Sequence, residues 1–422
     1  MTIHIDFDCF FVSAERTRYA PFRGVAAVVA NRNDEAIFGG KALKTSAIVR
    51  EPLGAFSGAC YYDKFDGGDW RSHFMDGVRA RGMVVAASYE ARSHDIKTGT
   101  TLCEALKRCP KLQILPADLP FYMSLSADAA EFLEERVPVV EQYSIDEFFG
   151  SLDGFVKEND AERYLRNLQA DIYKELRLPA TIGAGANKSI AKLAAKSAKP
   201  FGVLIVKSAD VKAFLSDKPV RALAGIGEKS ARVLNRYGVK TLGDAIRSPS
   251  LLASFGKRGR DLLRELNGEQ IRFEAQERER KQIGISRVFD PIYDRAEALR
   301  RLYILCGHLA YNVARRKKEP SGFTFVVGYK VFPCERVKVK VDRPFSEKLL
   351  RQIAKETFGA IDKNQSDAIN YLAVTASDFN DRFVAGELFS WREDCKNRLV
   401  GNALQEARSK YGYGILTYAK AT

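Results

Sequence analysis

The stretch HIDFDCFFVSAE, residues 4–15, sets two acids among apolar residues and then runs into a helical pattern. Asp6 and Asp8 alternate with Ile5, Phe7 and Cys9, so a strand over the first eleven residues puts both carboxylates on one face. Carboxylates withdrawn from water cost several kcal/mol unless a cation or a set of donors compensates them. Their partners must lie elsewhere in the chain.

QYSIDEFFGSLDG, residues 142–154, supplies them. Asp146 and Glu147 are adjacent acids in the middle of an otherwise apolar strand, where the plainer reading is a pair of strand-end acids facing water. Neighbours in a regular strand point to opposite faces, so joint service by the two requires a turn or bulge. Asp6, Asp146 and Glu147 together make three hard oxygen donors from two strands, suited to Mg²⁺. Two such ions about 4 Å apart activate a hydroxyl and neutralise a triphosphate leaving group, which is what phosphoryl or nucleotidyl transfer requires. SYEAR (88–92) offers Tyr89 and Arg92 on one helical turn, a phenol and a guanidinium for the same phosphates. In GAGANKSIAKLAAKSAKPFG (183–202), Lys188 follows a Gly-rich turn and opens a helix, close to where phosphates prefer to sit. No G-x-x-x-x-G-K-[ST] loop occurs.

Around these motifs the pattern is α+β. VAAVVAN (25–31) and GMVVAAS (82–88) read as strands. From 89 to about 205 helices (100–109, 119–135, 160–176, 187–197) alternate with the strands LQILP, VEQYSIDEFFGSL and ATIGAGA, around a central sheet closed by the N-terminal strand. LAGIGEKSARVLNRYGVKTLGDA reads as a helix-hairpin-helix in which Gly225, Gly227 and Lys229 present a helix N-terminus to a DNA phosphate. An ordinary αα-hairpin is the plainer alternative, and a looser copy, FGKRGRDLLREL (255–266), favours DNA. A charged linker (267–282) precedes a C-terminal set of strands and amphipathic helices. There Arg336, Lys338 and Lys340 share one strand face and Val337, Val339 and Val341 the other, a cationic surface for phosphates or a solvated edge kept basic against aggregation.

The totals agree with this reading. At 422 residues the chain divides into several domains, and 67 basic against 53 acidic residues leave a net charge of +14, which favours a polyanionic partner. Seven scattered cysteines and four histidines show no metal-site spacing. No apolar run is long enough to span a membrane and the N-terminus lacks the order of a signal peptide, so a cytoplasmic protein is expected.

The ordered motifs DFDCFF, SYEAR, YSIDEFF, GANKSIAKLAAKSAKPFG, GIGEKSA and KQIGISRVF resemble those of the Y-family, translesion DNA polymerases, nearest the DNA polymerase IV branch. The resemblance spans residues 1 to about 290, more weakly beyond. It implies a right-hand polymerase: palm 1–10 and 119–195, fingers 11–118 with an unusual insertion at about 32–80, helix-hairpin-helix thumb 196–265, linker 266–280, and an α/β little finger with a tail at 281–422. It makes Asp6, Asp146 and Glu147 the catalytic carboxylates, with the Phe7 carbonyl also on the metal, and two Mg²⁺ ions that Mn²⁺ can replace. Phe10 and Phe11 would lie beneath the nucleotide, Phe11 at the steric gate, and Tyr89, Arg92 and Lys188 on the triphosphate. Met83 and Val85 would roof the nascent pair, and Arg287 would join Arg336, Lys338 and Lys340 on DNA. The implied substrates are primer-template DNA and a dNTP, and the implied protein is a monomer working near the bacterial nucleoid. A catalytically silent DNA-binding scaffold and a two-metal nuclease are the rival readings.

Three departures from the family pattern stand out. About fifty residues replace the usual short turn after VAAVVAN, and Lys41, Lys44, Arg50, Tyr61, Tyr62 and Trp70 within them could serve DNA, a protein partner or neither. Met83 and Val85 stand where smaller residues are common, which implies a tighter ceiling. AGELFSW keeps Leu388 and Phe389 of a sliding-clamp peptide but lacks its leading glutamine, so clamp contact there is a weak expectation.

Overall fold

In a computed structural model the described residues are 1–32, 37–38, 69–269, 271, 280–380, 391–411 and 413–416. Lys41, Lys44, Arg50, Tyr61 and Tyr62, expected to serve DNA or a partner, and Leu388 and Phe389, expected at a clamp contact, lie outside them. The chain forms two compact units, the first built from 1–31 and 69–271, the second from 280–416 together with Ile37 and Phe38.

The first unit is organised by β1 (Thr2–Phe7), which is buried along its whole length at the centre of a five-stranded sheet. The sheet order is β10 (Val203–Ile205), β9 (Ala180–Gly185), β1, β8 (Glu147–Ser151), β7 (Val139–Gln142). β1 runs antiparallel to both neighbours. Helices Leu119–Glu134 and Ala161–Leu176 cover it, joining Ile3, Ile5, Phe148 and Ile182 in one core with Tyr122, Leu133, Leu165 and Ile172. β1 alternates along its length: Ile3, Ile5 and Phe7 join this core, and Thr2, His4 and Asp6 are buried on the other face.

Two boundaries differ from the sequence reading. β1 stops at Phe7, and Cys9 adopts a left-handed conformation (φ 47°) that starts the helix Phe10–Arg18, so Asp8 lies past the strand and Phe10 and Phe11 on a helix. The expected single strand over 140–152 is a hairpin, with the Tyr143 and Ser144 amides both donating to the Glu147 carbonyl. The turn demanded by the adjacent acids is that hairpin.

LQILP supplies β6 (Gln113–Pro116) of a separate three-stranded sheet, ordered β5 (Met83–Ala87), β2 (Ala27–Asn31), β6. Next to it lie the short pair β3 (Met75–Asp76) and β4 (Arg79–Ala80). Five short helices between Val211 and Leu266 enclose a small core of Leu215, Leu234, Leu242 and Leu262.

The second unit is an antiparallel sheet ordered β11 (Gln282–Ile292), β14 (Ile369–Asn380), β12 (Glu319–Tyr329), β13 (Glu335–Lys340), backed by helices Arg295–Arg315 and Glu347–Ile361. Ile37 and Phe38 are buried in this core, the Phe38 ring 5.6 Å from that of Phe289 and perpendicular to it. Ile37 and Phe38 of the insertion therefore pack within the chain itself.

Candidate active site

Register brings the acids together. Asp6 pairs directly with Glu147 across β1 and β8, and the Phe7 amide donates to the Asp146 carbonyl at 3.0 Å. Ser144 donates to the Asp146 carboxylate at 2.6 Å, which orients it. Burial pushes the Asp6 carboxyl up to about 7, and the charges of Asp146 and Glu147 add to that, against the pull of Lys199. Asp146 is raised as well, again chiefly by burial. His4, two register pairs away, is buried with neither ring nitrogen hydrogen-bonded, its Nε2 4.0 Å from Glu147 Oε1. Burial keeps it neutral.

Two lysines answer the acids. Lys199 Nζ lies 2.6 Å from Asp6 Oδ1 and Lys192 Nζ 2.6 Å from Glu147 Oε2. Lys192 sits on the helix Lys188–Ala198 and Lys199 is its C-cap, seven residues apart and so on one face. That helix lies directly on β9 because Gly183 has no side chain: a methyl there would fall within the backbone at Ala191 and Ala195. Lys188, the lysine expected on the triphosphate, is held by Glu141 at 2.7 Å, on β7. Lys199 and Lys192 were missed, although the 188, 192, 199 spacing marks one helical stripe. No three His, Cys, Asp or Glu side chains among the described residues stand together as a metal-holding group. The three carboxylates fit a divalent cation by donor type, and Asp6 and Glu147 must exchange their lysines for it.

Beside the acids, Tyr89 and Arg92 occupy a short helix capped by Ser88, with Arg92 5.0 Å over the Tyr89 ring. The Tyr89 hydroxyl donates to Asp8 at 3.1 Å, and burial together with the Asp8 charge raises its pKa. Phe11 is half-buried and stacks on Tyr122, ring centres 4.5 Å apart. Phe10, expected beneath the nucleotide with it, is 3% exposed and packed on Phe7. Met83 is 45% exposed on β5, and Val85, half-buried two residues on, falls at the register shift where β5 bulges against Val29 and Ala30.

The basic positions divide. Gly225 (φ 98°) and Gly227 make the turn that opens the helix Glu228–Arg236, with Lys229 exposed in its first turn. Arg258 packs where a Gly225 side chain would be and donates to the Ala224 carbonyl at 3.2 Å. In the second unit β13 alternates, with Arg336, Lys338 and Lys340 exposed and Val337 and Val339 against the core. Lys338 pairs with Asp378 at 2.8 Å. Arg287 does not join them. It pairs in register with Leu372, which pairs with Val327, both buried, so it has the parity of the core face.

Comparison with known proteins follows the same lines. Residues 5–196 match the impB/mucB/samB family and residues 280–387 its C-terminal domain. A DNA polymerase IV of Bacillus velezensis is 28% identical over 354 residues, 80% of this chain and 83% of that protein. One from Streptococcus suis is 30% identical over 312 residues, 71% of this chain and 85% of the relative. Among solved structures, a Y-family DNA polymerase chimera, Dbh-Dpo4(243-245)-Dbh, superposes with TM-score 0.69 at 21% identity, covering 90% of this chain and 98% of its own. An insertion ternary complex of Dbh DNA polymerase gives 0.52 at 20% identity with the same coverage. No helix among the described residues is long and apolar enough to cross a membrane.

Proposed function

The chain belongs to the impB/mucB/samB family, the Y-family DNA polymerases, and on that premise we propose that this translesion DNA polymerase extends a primer at the Asp6, Asp146 and Glu147 cluster. The observation that carries the reading is the register that sets Asp6 opposite Glu147, with Phe11 one helical turn beyond the end of the same strand.

In the reaction the primer O3′ bonds to the α-phosphorus of a dNTP, and the bond from that phosphorus to the pyrophosphate oxygen breaks. Asp6, Asp146, Glu147 and the Phe7 carbonyl would hold two Mg²⁺ ions, which when bound acidify the attacking hydroxyl and neutralise the leaving group. The side chains do the rest. Lys199 turns from Asp6 to the arriving triphosphate, a stronger anion that the Asp6 carboxylate no longer needs to replace. Tyr89 and Arg92 reach the same phosphates from the neighbouring helix. The Phe11 ring fills the space a ribose 2′-hydroxyl would need, which excludes ribonucleotides by a clash. At the Gly225–Gly227 turn, the free amides of a helix N-terminus take a backbone phosphate of the duplex. In the second unit Arg336, Lys338 and Lys340 form a cationic row for phosphates, read by charge and not by base sequence.

Incorporation of a labelled dNTP on a primed template tests this. The parent protein is expected to extend the primer, and Asp146→Ala to lose about a thousandfold or more in rate. Tight binding of primed DNA with no incorporation by the parent would instead identify a silent scaffold.

A further inference from the structure

Asp8 is the second acid of the opening motif and has no part in the chemistry described so far. It is 2% exposed, yet no ion pair to it is present among the described residues. Its carboxylate is filled by neutral donors from three separate elements. Thr181 Oγ1 on β9 lies 3.0 Å and 2.9 Å from the two oxygens, the Phe201 amide donates at 2.7 Å, and the Tyr89 hydroxyl donates at 3.1 Å. Its own backbone is fixed as well, the amide donating to Pro179 at 2.8 Å and the carbonyl accepting from Ser13 Oγ at 2.5 Å. Phe201 has φ 48°, a left-handed conformation that a bulky residue keeps only where its surroundings hold it. Two residues before it stands Lys199, on Asp6.

We propose that Asp8 is a positioning residue that fixes the spacing between the Tyr89 phenol and the Lys199 turn, the two sides of the triphosphate grip. This rests on the polymerase reading above. The role is geometric and not electrostatic, because a negative charge beside a triphosphate opposes binding. An amide of the same shape can keep the frame. With its oxygen where Oδ2 is, asparagine still accepts from the Phe201 amide, and its Nδ2 donates to the Tyr89 hydroxyl, whose proton is then free for a phosphate.

Steady-state single-nucleotide insertion, with kcat and KM for the dNTP separated and DNA affinity and melting temperature measured alongside, tests the proposal. Asp8→Ala is expected to raise KM for the dNTP about tenfold or more, with kcat within about threefold and DNA affinity unchanged. Asp8→Asn is expected to restore KM to within about threefold of the parent. An unchanged KM in Asp8→Ala overturns the proposal, and so does an Asp8→Asn that loses kcat as deeply as Asp146→Ala, because Asp8 would then act as a metal ligand. Should Asp8→Ala not fold, Thr181→Val, which removes one donor and leaves the carboxylate, takes its place with an expected KM increase of about threefold at constant kcat; an unmoved KM there overturns the proposal. A parent that inserts no nucleotide would defeat the polymerase reading itself, whereas an active parent with these results would defeat only the role of Asp8.

Discussion

Tyr122 lies nearly flat on Phe11, the planes 17° from parallel, and its hydroxyl is anchored on Glu15 at 2.7 Å. Glu15 is in turn clasped by Arg18, so the Tyr122 ring behind Phe11 cannot easily move. Tyr122→Leu is expected to let Phe11 rotate and to lower discrimination against ribonucleotides about tenfold, while Phe11→Ala removes more of it. Competing rNTP and dNTP incorporation measures both.

Without metal, Asp6 makes stability fall with pH. Its carboxyl titrates at about 7 in the folded protein against an ordinary 3.8, so the folded state favours the protonated form. That contribution is complete below about 3.8 and is lost as pH rises through about 7. Asp6→Asn is therefore expected to melt higher than the parent at pH 8 in chelator, and no higher at pH 4. Mg²⁺ is expected to stabilise the parent more at pH 8 than at pH 6. Scanning calorimetry at these pH values checks the sign, and parallel melting curves for parent and Asp6→Asn would contradict it.

The two lysines at 188 and 199 separate by their partners. Lys199→Met is expected to raise KM for the dNTP about tenfold or more, since it removes the ammonium nearest Asp6. Lys188→Met, which removes the ion pair with Glu141, is expected to cost stability with KM within about twofold. The reverse ranking in an insertion assay would return the triphosphate role to Lys188.

Met83 projects from β5 with nearly half its surface open. Met83→Ala is expected to speed bypass of a bulky guanine adduct several-fold and to leave insertion opposite an abasic site unchanged. Primer extension on the two templates decides, and equal effects on both would remove Met83 from the roof.

The carboxylates were legible because nucleotidyl transfer demands acids in a strand context, and few other uses justify three of them among apolar neighbours. The hairpin that joins Asp146 to Glu147 was only half legible. YSID contains no Gly, Pro or Asn, and only Ser144 and Asp146 mark a turn there, so strand parity required a turn that composition signals faintly. Lys199 was hidden by its position at the helix end, where proximity to Asp6 depends on how closely the helix can lie on β9, a matter settled by Gly183. Arg287 was misplaced for a related reason, since basic composition does not give a strand residue its face. Only pairing with Leu372 does. The partners of Asp8, namely Tyr89, Thr181 and Phe201, lie far along the chain, so no local pattern marks them.

Ile37 and Phe38 carry a consequence for how the protein is made. Their core partners, Phe289 among them, leave the ribosome about 250 residues later, so during synthesis two large apolar side chains must wait in water or in a temporary shelter. Until the last third of the chain appears, that segment has no native place to go. An excised C-terminal fragment starting at 280 inherits the opposite defect, an empty socket beside Phe289 where a perpendicular ring belongs. The two units are thus separate in architecture and joined in biogenesis, and cutting the gene between them does not yield two finished pieces.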